Sequence, residues 1–143
     1  MRFAVRTLLV LLLLACPVLA EDGTLRSFAE RMGLRDVEGF VTAVVAIRAT
    51  GRLPERWITK DEAEDIGWRP GADLCHSAPG HAIGGDRFGN REGRLPERRG
   101  RRWREADLDF ACGRRGARRL VWSNDGLMFL TLDHYESFIE VPR

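Results

Sequence analysis

Residues 102–132 read RWREADLDFACGRRGARRLVWSNDGLMFLTL, and their alternation decides the fold. Counted by twos, Ala106, Leu108, Leu120, Trp122, Met128 and Leu130 fall on one apolar face. Trp103, Glu105, Asp107, Arg119, Val121 and Phe129 fall on the other. Period two marks strands whose two faces meet different surroundings. Ser123-Asn124-Asp125-Gly126 is a hairpin signal, because Asp-Gly supplies the positive φ that a tight turn requires. The stretch therefore predicts antiparallel strands with the first face on a core. The second face, with two carboxylates and an arginine, is expected toward solvent.

Working outward, short segments separated by glycines and turn signals predict strands near 82–87, 102–108, 117–123, 126–132 and 137–141. Upstream the period becomes helical. Val37, Phe40, Val41, Val44, Val45 and Ile47 recur on one stripe, with Asp36 placed to cap the start and Gly51 to stop the end. Thr59 followed by Glu62 is a capping box that opens a short helix at Lys60, which Gly67 closes. A further helical turn is expected near Asp73. Helices first and strands afterwards define an α+β domain, its N-terminal helices packed on one face of a five-stranded antiparallel sheet.

The 143 residues suit one domain preceded by a leader. Arg2 and Arg6 flank an apolar run from Leu8 to Leu14, and small residues end at Ala20, so residues 1–20 read as a signal peptide. The run falls short of the roughly 20 apolar residues that span a bilayer. Leu13-Leu14-Ala15-Cys16 is an imperfect lipobox-like string, and processing there would leave a lipid anchor on Cys16. The reading adopted is cleavage after Ala20, a secreted or periplasmic mature chain and no membrane association unless Cys16 is lipidated. Residues 21–35 are set apart as an N-terminal extension, and the domain proper occupies 36–143.

Export implies an oxidising compartment, where Cys75 and Cys112, the cysteines left after processing, are expected to pair. Two buried free thiols are the competing reading. Charge is unevenly spread. The whole chain carries 23 basic and 21 acidic side chains, and loss of Arg2 and Arg6 brings the mature chain to neutrality. Residues 87–119 nevertheless hold 12 basic against 5 acidic groups. That excludes a uniformly cationic coat and points to a local anion-binding surface, as a phosphate-bearing partner would need. Every basic residue but Lys60 is arginine, whose planar fork suits bidentate phosphate contact.

Glu105, Arg115, Arg119 and His134 together suggest phosphodiester chemistry. Cleaving RNA without a metal needs a base for the 2′-hydroxyl proton, an acid for the departing 5′-oxygen and fixed cations around phosphorus. Glutamate and histidine, with reference pKa values near 4.3 and 6.5, hold the required protonation states together around pH 5–6. Each residue also has an ordinary reading as a solvated side chain. The run Arg98, Arg99, Arg101, Arg102 is most simply a solvated turn, and His76 and His81 are surface residues.

Motifs tie these residues together. Ile-Gly-Gly-Asp at 83–86, Asn-Arg-Glu-Gly at 90–93, Leu-Pro at 95–96, Trp-Arg-Glu-Ala-Asp at 103–107, Asp133-His134-Tyr135 and Ile58-Thr59-Lys60 stand in one order. This arrangement resembles the secreted bacterial guanyl-preferring ribonucleases, the barnase family, over roughly Leu53 to Arg143. The resemblance implies the microbial ribonuclease fold for residues 36–143. It implies an endoribonuclease that cleaves single-stranded RNA after guanosine by transphosphorylation to a 2′,3′-cyclic phosphate, which is hydrolysed more slowly.

Glu105 would be the general base and His134 the general acid, with Lys60, Arg115 and Arg119 holding the phosphate and Asp107 orienting the arginines. The loop Phe88-Gly89-Asn90-Arg91-Glu92 would read guanine through backbone N–H groups and the Glu92 carboxylate. Phe88 and His134 would stack on the base, and Arg91 and Tyr135 would line the pockets. No cofactor or metal is implied, a monomer is expected, and the partners implied are single-stranded RNA and an acidic inhibitor protein of the barstar type. Gly89, Arg114 and Gly126 replace a serine, an aromatic residue and a tryptophan of the family, and Cys75 and Cys112 replace non-cysteine residues. Competing readings are an RNA-binding module that no longer cleaves, and the same nuclease used as an antibacterial toxin.

Overall fold

A computed structural model describes residues 16–143, so most of the expected signal peptide lies outside the described residues. Among the described residues the first element is helix α1, Cys16–Arg31, followed by α2, Val37–Thr50. Asp36 caps α2 by accepting from the Gly39 amide at 2.9 Å. Gly51 ends it in the left-handed conformation at φ 74° and donates to the Ile47 carbonyl at 2.7 Å. Phe40, Val41, Val44 and Ile47 of the predicted stripe are buried, joined by Ala43, while Val37 is half-buried. Val45 lies at its exposed edge.

Residues 21–35, set apart by the sequence as an extension, pack into the same core. Leu25, Phe28, Ala29 and Leu34 are buried, and the Phe28 and Phe40 rings lie 5.8 Å apart. The link between the helices is tied down from the far side of the chain. Asp109 accepts from the amides of Arg35 at 3.0 Å and Asp36 at 2.8 Å, and pairs with Arg118.

Strand β1, Trp57–Ile58, precedes α3, Lys60–Asp65, whose Thr59–Glu62 capping box is fully formed. A single turn, α4, Leu74–Ser77, starts at Asp73. The remaining strands are β2 (Ala82–Phe88), β3 (Trp103–Asp107), β4 (Arg119–Ser123), β5 (Met128–Thr131) and β6 (Ile139–Glu140). They form one sheet in the order β1-β2-β3-β4-β5-β6. The α+β class holds, but the sheet has six strands where five were expected, and β1 pairs with β2 in parallel. Two residues are too few for alternation to show, and the pairing of β1 depends on Ala82 and Ile83, remote in sequence.

A second correction concerns the face that carries Glu105. Ala106, Leu108, Leu120, Trp122, Met128 and Leu130 do pack against α1 and α2. The opposite face is covered too, by a cluster of Leu95, Trp103 and Val121 with Phe88, Phe129, Tyr135 and Phe138 around it. Glu105, Asp107 and Arg119 are therefore buried, at 7%, 2% and 2% exposure, not solvated. The loop after β2 and the segment after β5 close over this side of the sheet, which alternation within strands cannot reveal.

Candidate active site

Strand β3 delivers Glu105 and Asp107 to this covered face, and β4 sets Arg119 opposite Asp107 in register. Across β2, the pairing shifts at Gly85, whose φ of 100° makes the bulge that bends the strand. Gly84 beside it is fixed by space. A Cβ there would stand 2.6 Å from Trp57 Cδ1 and 2.9 Å from Ala106 Cβ. Asp86, just past the bulge, accepts the backbone amide of Lys60 at 3.1 Å and so pins the first residue of α3 to the sheet.

That anchor sets the Lys60 ammonium 3.8 Å from Glu105 Oε1. The Tyr135 hydroxyl donates to the other oxygen, Oε2. Burial and the neighbouring Glu105 carboxylate push the Tyr135 pKa far above its ordinary value, so this hydroxyl stays a donor. Beneath them Asp107 binds two cations. Arg115 donates Nε and Nη2 to its two oxygens at 2.7 Å each, and this pairing raises the guanidinium pKa further. Arg119 Nε stands 3.0 Å from Asp107 Oδ1 as an ion pair without hydrogen-bond alignment, while its Nη1 donates to the carbonyls of Gly116 and Arg118.

His134 and Tyr135 sit in a turn with φ of 56° and 74°, a conformation that side chains rarely adopt. Several bonds hold it there. The His134 amide donates to the Ala117 carbonyl at 3.1 Å and the Tyr135 amide to Thr131 Oγ1 at 2.9 Å. Asp133 accepts from Thr131 Oγ1 at 3.0 Å and from the Ser137 amide at 2.9 Å, and these hydrogen bonds, with that of the Ser137 hydroxyl, lower its pKa to about 2. The His134 ring is exposed, 4.7 Å from the Tyr135 ring.

The loop after β2 is closed by Asn90, which also has positive φ at 46°. Its amide group donates to the Leu95 carbonyl and accepts from the Leu95 amide, each at 3.0 Å. Asn90 is thus committed to loop shape, whereas Gly89, Arg91 and Glu92 are exposed. Phe88 stacks on Tyr135 with ring centroids 5.0 Å apart.

Every candidate catalytic and base-reading residue lines one cleft of about 420 Å³, and Asp107 lies behind its arginines. The cleft sets one buried carboxylate and one exposed imidazole among five cations, Lys60, Arg87, Arg91, Arg115 and Arg119, beside a loop closed by Asn90 that carries the exposed Glu92. Such a set suits proton transfer at an anionic phosphorus centre. Three contributors were missed in the sequence. Arg87 also lines the cleft, Asp86 anchors Lys60, and Asp133 holds the turn that carries His134 and Tyr135. Asp86 and Asp133 stand in the motifs quoted above, at the end of Ile-Gly-Gly-Asp and beside His134, but with no role attached, and Arg87 carried no signal.

Cys75 and Cys112 are joined, with Cα atoms 5.5 Å apart, tying α4 to the loop between β3 and β4. Asp73 lies beside them, the single cluster of potential metal-ligating groups among the described residues, but both of its sulfurs are bonded to each other. No helix among the described residues is long and apolar enough to cross a membrane.

Comparison with known proteins agrees with this fold. A ribonuclease family model matches residues 42–142. A ribonuclease of Heyndrickxia coagulans is 50% identical over 91 residues, covering 63% of this chain and 84% of that protein. Ribonucleases of Bacillus intermedius and Bacillus pumilus are also 50% identical over 91 residues, and there the match covers 56% of their length. The chain belongs to the bacterial ribonuclease family.

Proposed function

We propose that the protein is an exported endoribonuclease that cleaves single-stranded RNA after guanosine. The observation that carries this reading is the convergence of Glu105, His134, Lys60, Arg115 and Arg119 on one cleft beside the loop Phe88–Glu92. In the first step the Glu105 carboxylate takes the proton of the 2′-hydroxyl, and the 2′-oxygen attacks phosphorus. The bond from phosphorus to O5′ breaks, and protonated His134 supplies the proton that O5′ needs to leave. Lys60, Arg115 and Arg119 face the charge that grows on the phosphoryl oxygens. In the second step the roles exchange: His134 takes a proton from water as the water oxygen bonds to phosphorus, the bond from phosphorus to O2′ breaks, and Glu105 returns a proton to the 2′-oxygen.

The exposed Glu92 carboxylate accepts from guanine N1 and N2, and amides of the loop donate to O6. No other base offers two such donors beside that acceptor. Phe88 and His134 flank the base plane. The disulfide supports export after removal of residues 1–20, and the ribonuclease domain, 36–143 by sequence, is completed by 21–35 through the core contacts of Leu25, Phe28 and Ala29. The cationic cleft is also a surface that an acidic inhibitor protein would cover.

Nucleotide binding tests the base assignment. Guanosine 3′-monophosphate should bind more tightly than adenosine 3′-monophosphate, and Glu92→Gln should remove about 10–100-fold of that preference, as loss of a charge-assisted hydrogen bond would. Equal affinity for the two nucleotides would refute guanine reading.

A further inference from the structure

A second cleft, of about 530 Å³, is larger than the first and opens on the opposite, helix-covered face at one end of the sheet. Arg48, Arg87, Arg102 and Arg104 line it with Trp122 and Met128, and no carboxylate among the described residues does. Register explains the crowding. Arg87 pairs with Arg104, Arg104 with Trp122 and Trp122 with Met128, so these four form one row across β2 to β5. Like charges directly opposite on neighbouring strands are destabilising. The chain answers this charge only in part. Arg48 pairs with Glu21 and Arg104 donates to the Gly85 carbonyl at 2.6 Å. The Arg87 and Arg102 side chains have no partner among the described residues. Gly126, on the rim, leaves open space where a side chain would stand.

Arg87 lines both clefts, and Phe88, the next residue, belongs to the guanine-reading loop. Arg87 at the end of β2 thus borders both clefts. We infer that the second cleft is an RNA groove, in which Arg87, Arg102 and Arg104 hold phosphates of nucleotides flanking the cleaved guanosine. This inference rests on the ribonuclease reading. Its chemistry is that of a polyanion in a cationic channel, with affinity that falls steeply with salt.

The test compares a guanosine-containing dinucleotide with an RNA of about 12 nucleotides carrying one guanosine, long enough to leave the cleft. The variants are Arg102→Glu, at an exposed side chain with no partner to lose, and Arg104→Gln. Each should leave kcat/KM on the dinucleotide within about twofold and raise KM on the longer RNA. The slope of log KM against log salt should fall by about 0.7 for each phosphate contact removed. Arg104→Lys should restore the longer substrate. If the long-to-short ratio and the salt slope match wild type in both variants, the proposal is overturned, and the arginine cluster is left to an acidic protein. If the wild type cleaves neither substrate, the ribonuclease reading fails separately. Anisotropy with the longer RNA then decides the groove, since equal binding by wild type and Arg102→Glu overturns it.

Discussion

Arg115 grips Asp107 with two parallel hydrogen bonds of 2.7 Å, so one buried carboxylate fixes the guanidinium that lines the candidate cleft. Arg119 leans on the same acid. A lysine could not reproduce the fork, and an asparagine would leave two cations without their counter-charge. Asp107→Asn should lower stability by about 3–5 kcal/mol, the usual cost of breaking a buried ion pair from one side. Denaturant unfolding measures it, and a loss below about 1 kcal/mol would show that the arginines are held by other contacts.

Glu105→Ala and His134→Ala should each lower kcat by about 10²–10⁴-fold, the range for loss of a general base or acid. Circular dichroism should show the native fold in both. Near-normal turnover in either folded variant would remove that residue from the mechanism.

Tyr135→Phe separates the ring from the hydroxyl. The stack on Phe88 survives, while Glu105 loses its donor. Activity should fall by about tenfold or more, as expected when a charged acceptor loses one hydrogen bond. Unchanged kcat and KM would show that Lys60 and the strand suffice to place the carboxylate.

Asp133 links the turn carrying His134 to pH. Its folded pKa is depressed to about 2, from an unfolded value near 3.9. A depressed carboxylate contributes its stability above the unfolded pKa and loses it as pH falls through the folded one. Asp133→Asn should therefore be less stable than wild type at pH 6, with the difference shrinking between about pH 4 and pH 2. Urea midpoints across that range check it, and a constant difference would assign the effect to geometry instead of charge.

The disulfide closes a loop with a sequence separation of 37 residues. Replacing both cysteines by serine should cost about 3–4 kcal/mol if chain entropy dominates. Neither cysteine lines the catalytic cleft, so activity at 25 °C should persist. Loss of activity in a folded double variant would show that the bridge also holds the loop of Arg115.

Legibility in the sequence followed the range of the interactions. The α2 stripe, its Asp36 cap, the Thr59–Glu62 box and the hairpin at Asp125-Gly126 are local and were readable within a few residues. The strands β2 to β6 followed from alternation and turns. What escaped depends on distant partners. Strand β1 exists because Ala82 and Ile83 lie beside it, and residues 21–35 join the core through Phe40 and Asp109. Glu105 reads as solvated from alternation alone, because Leu95 and Tyr135, which help cover its face of the sheet, come from loops that carry no periodic signal. The resemblance named the cleft residues, but the anchoring role of Asp86 shows only once Lys60 is folded beside it, and Arg87 only once the cleft is formed.

Digestion of a short RNA containing a single guanosine by the oxidised protein in excess EDTA, with products identified by mass, tests the central claim most directly. The predicted result is one cut, after the guanosine, leaving a 2′,3′-cyclic phosphate that is later hydrolysed. An intact RNA after incubation with folded protein, or cuts without regard to guanosine, would contradict it.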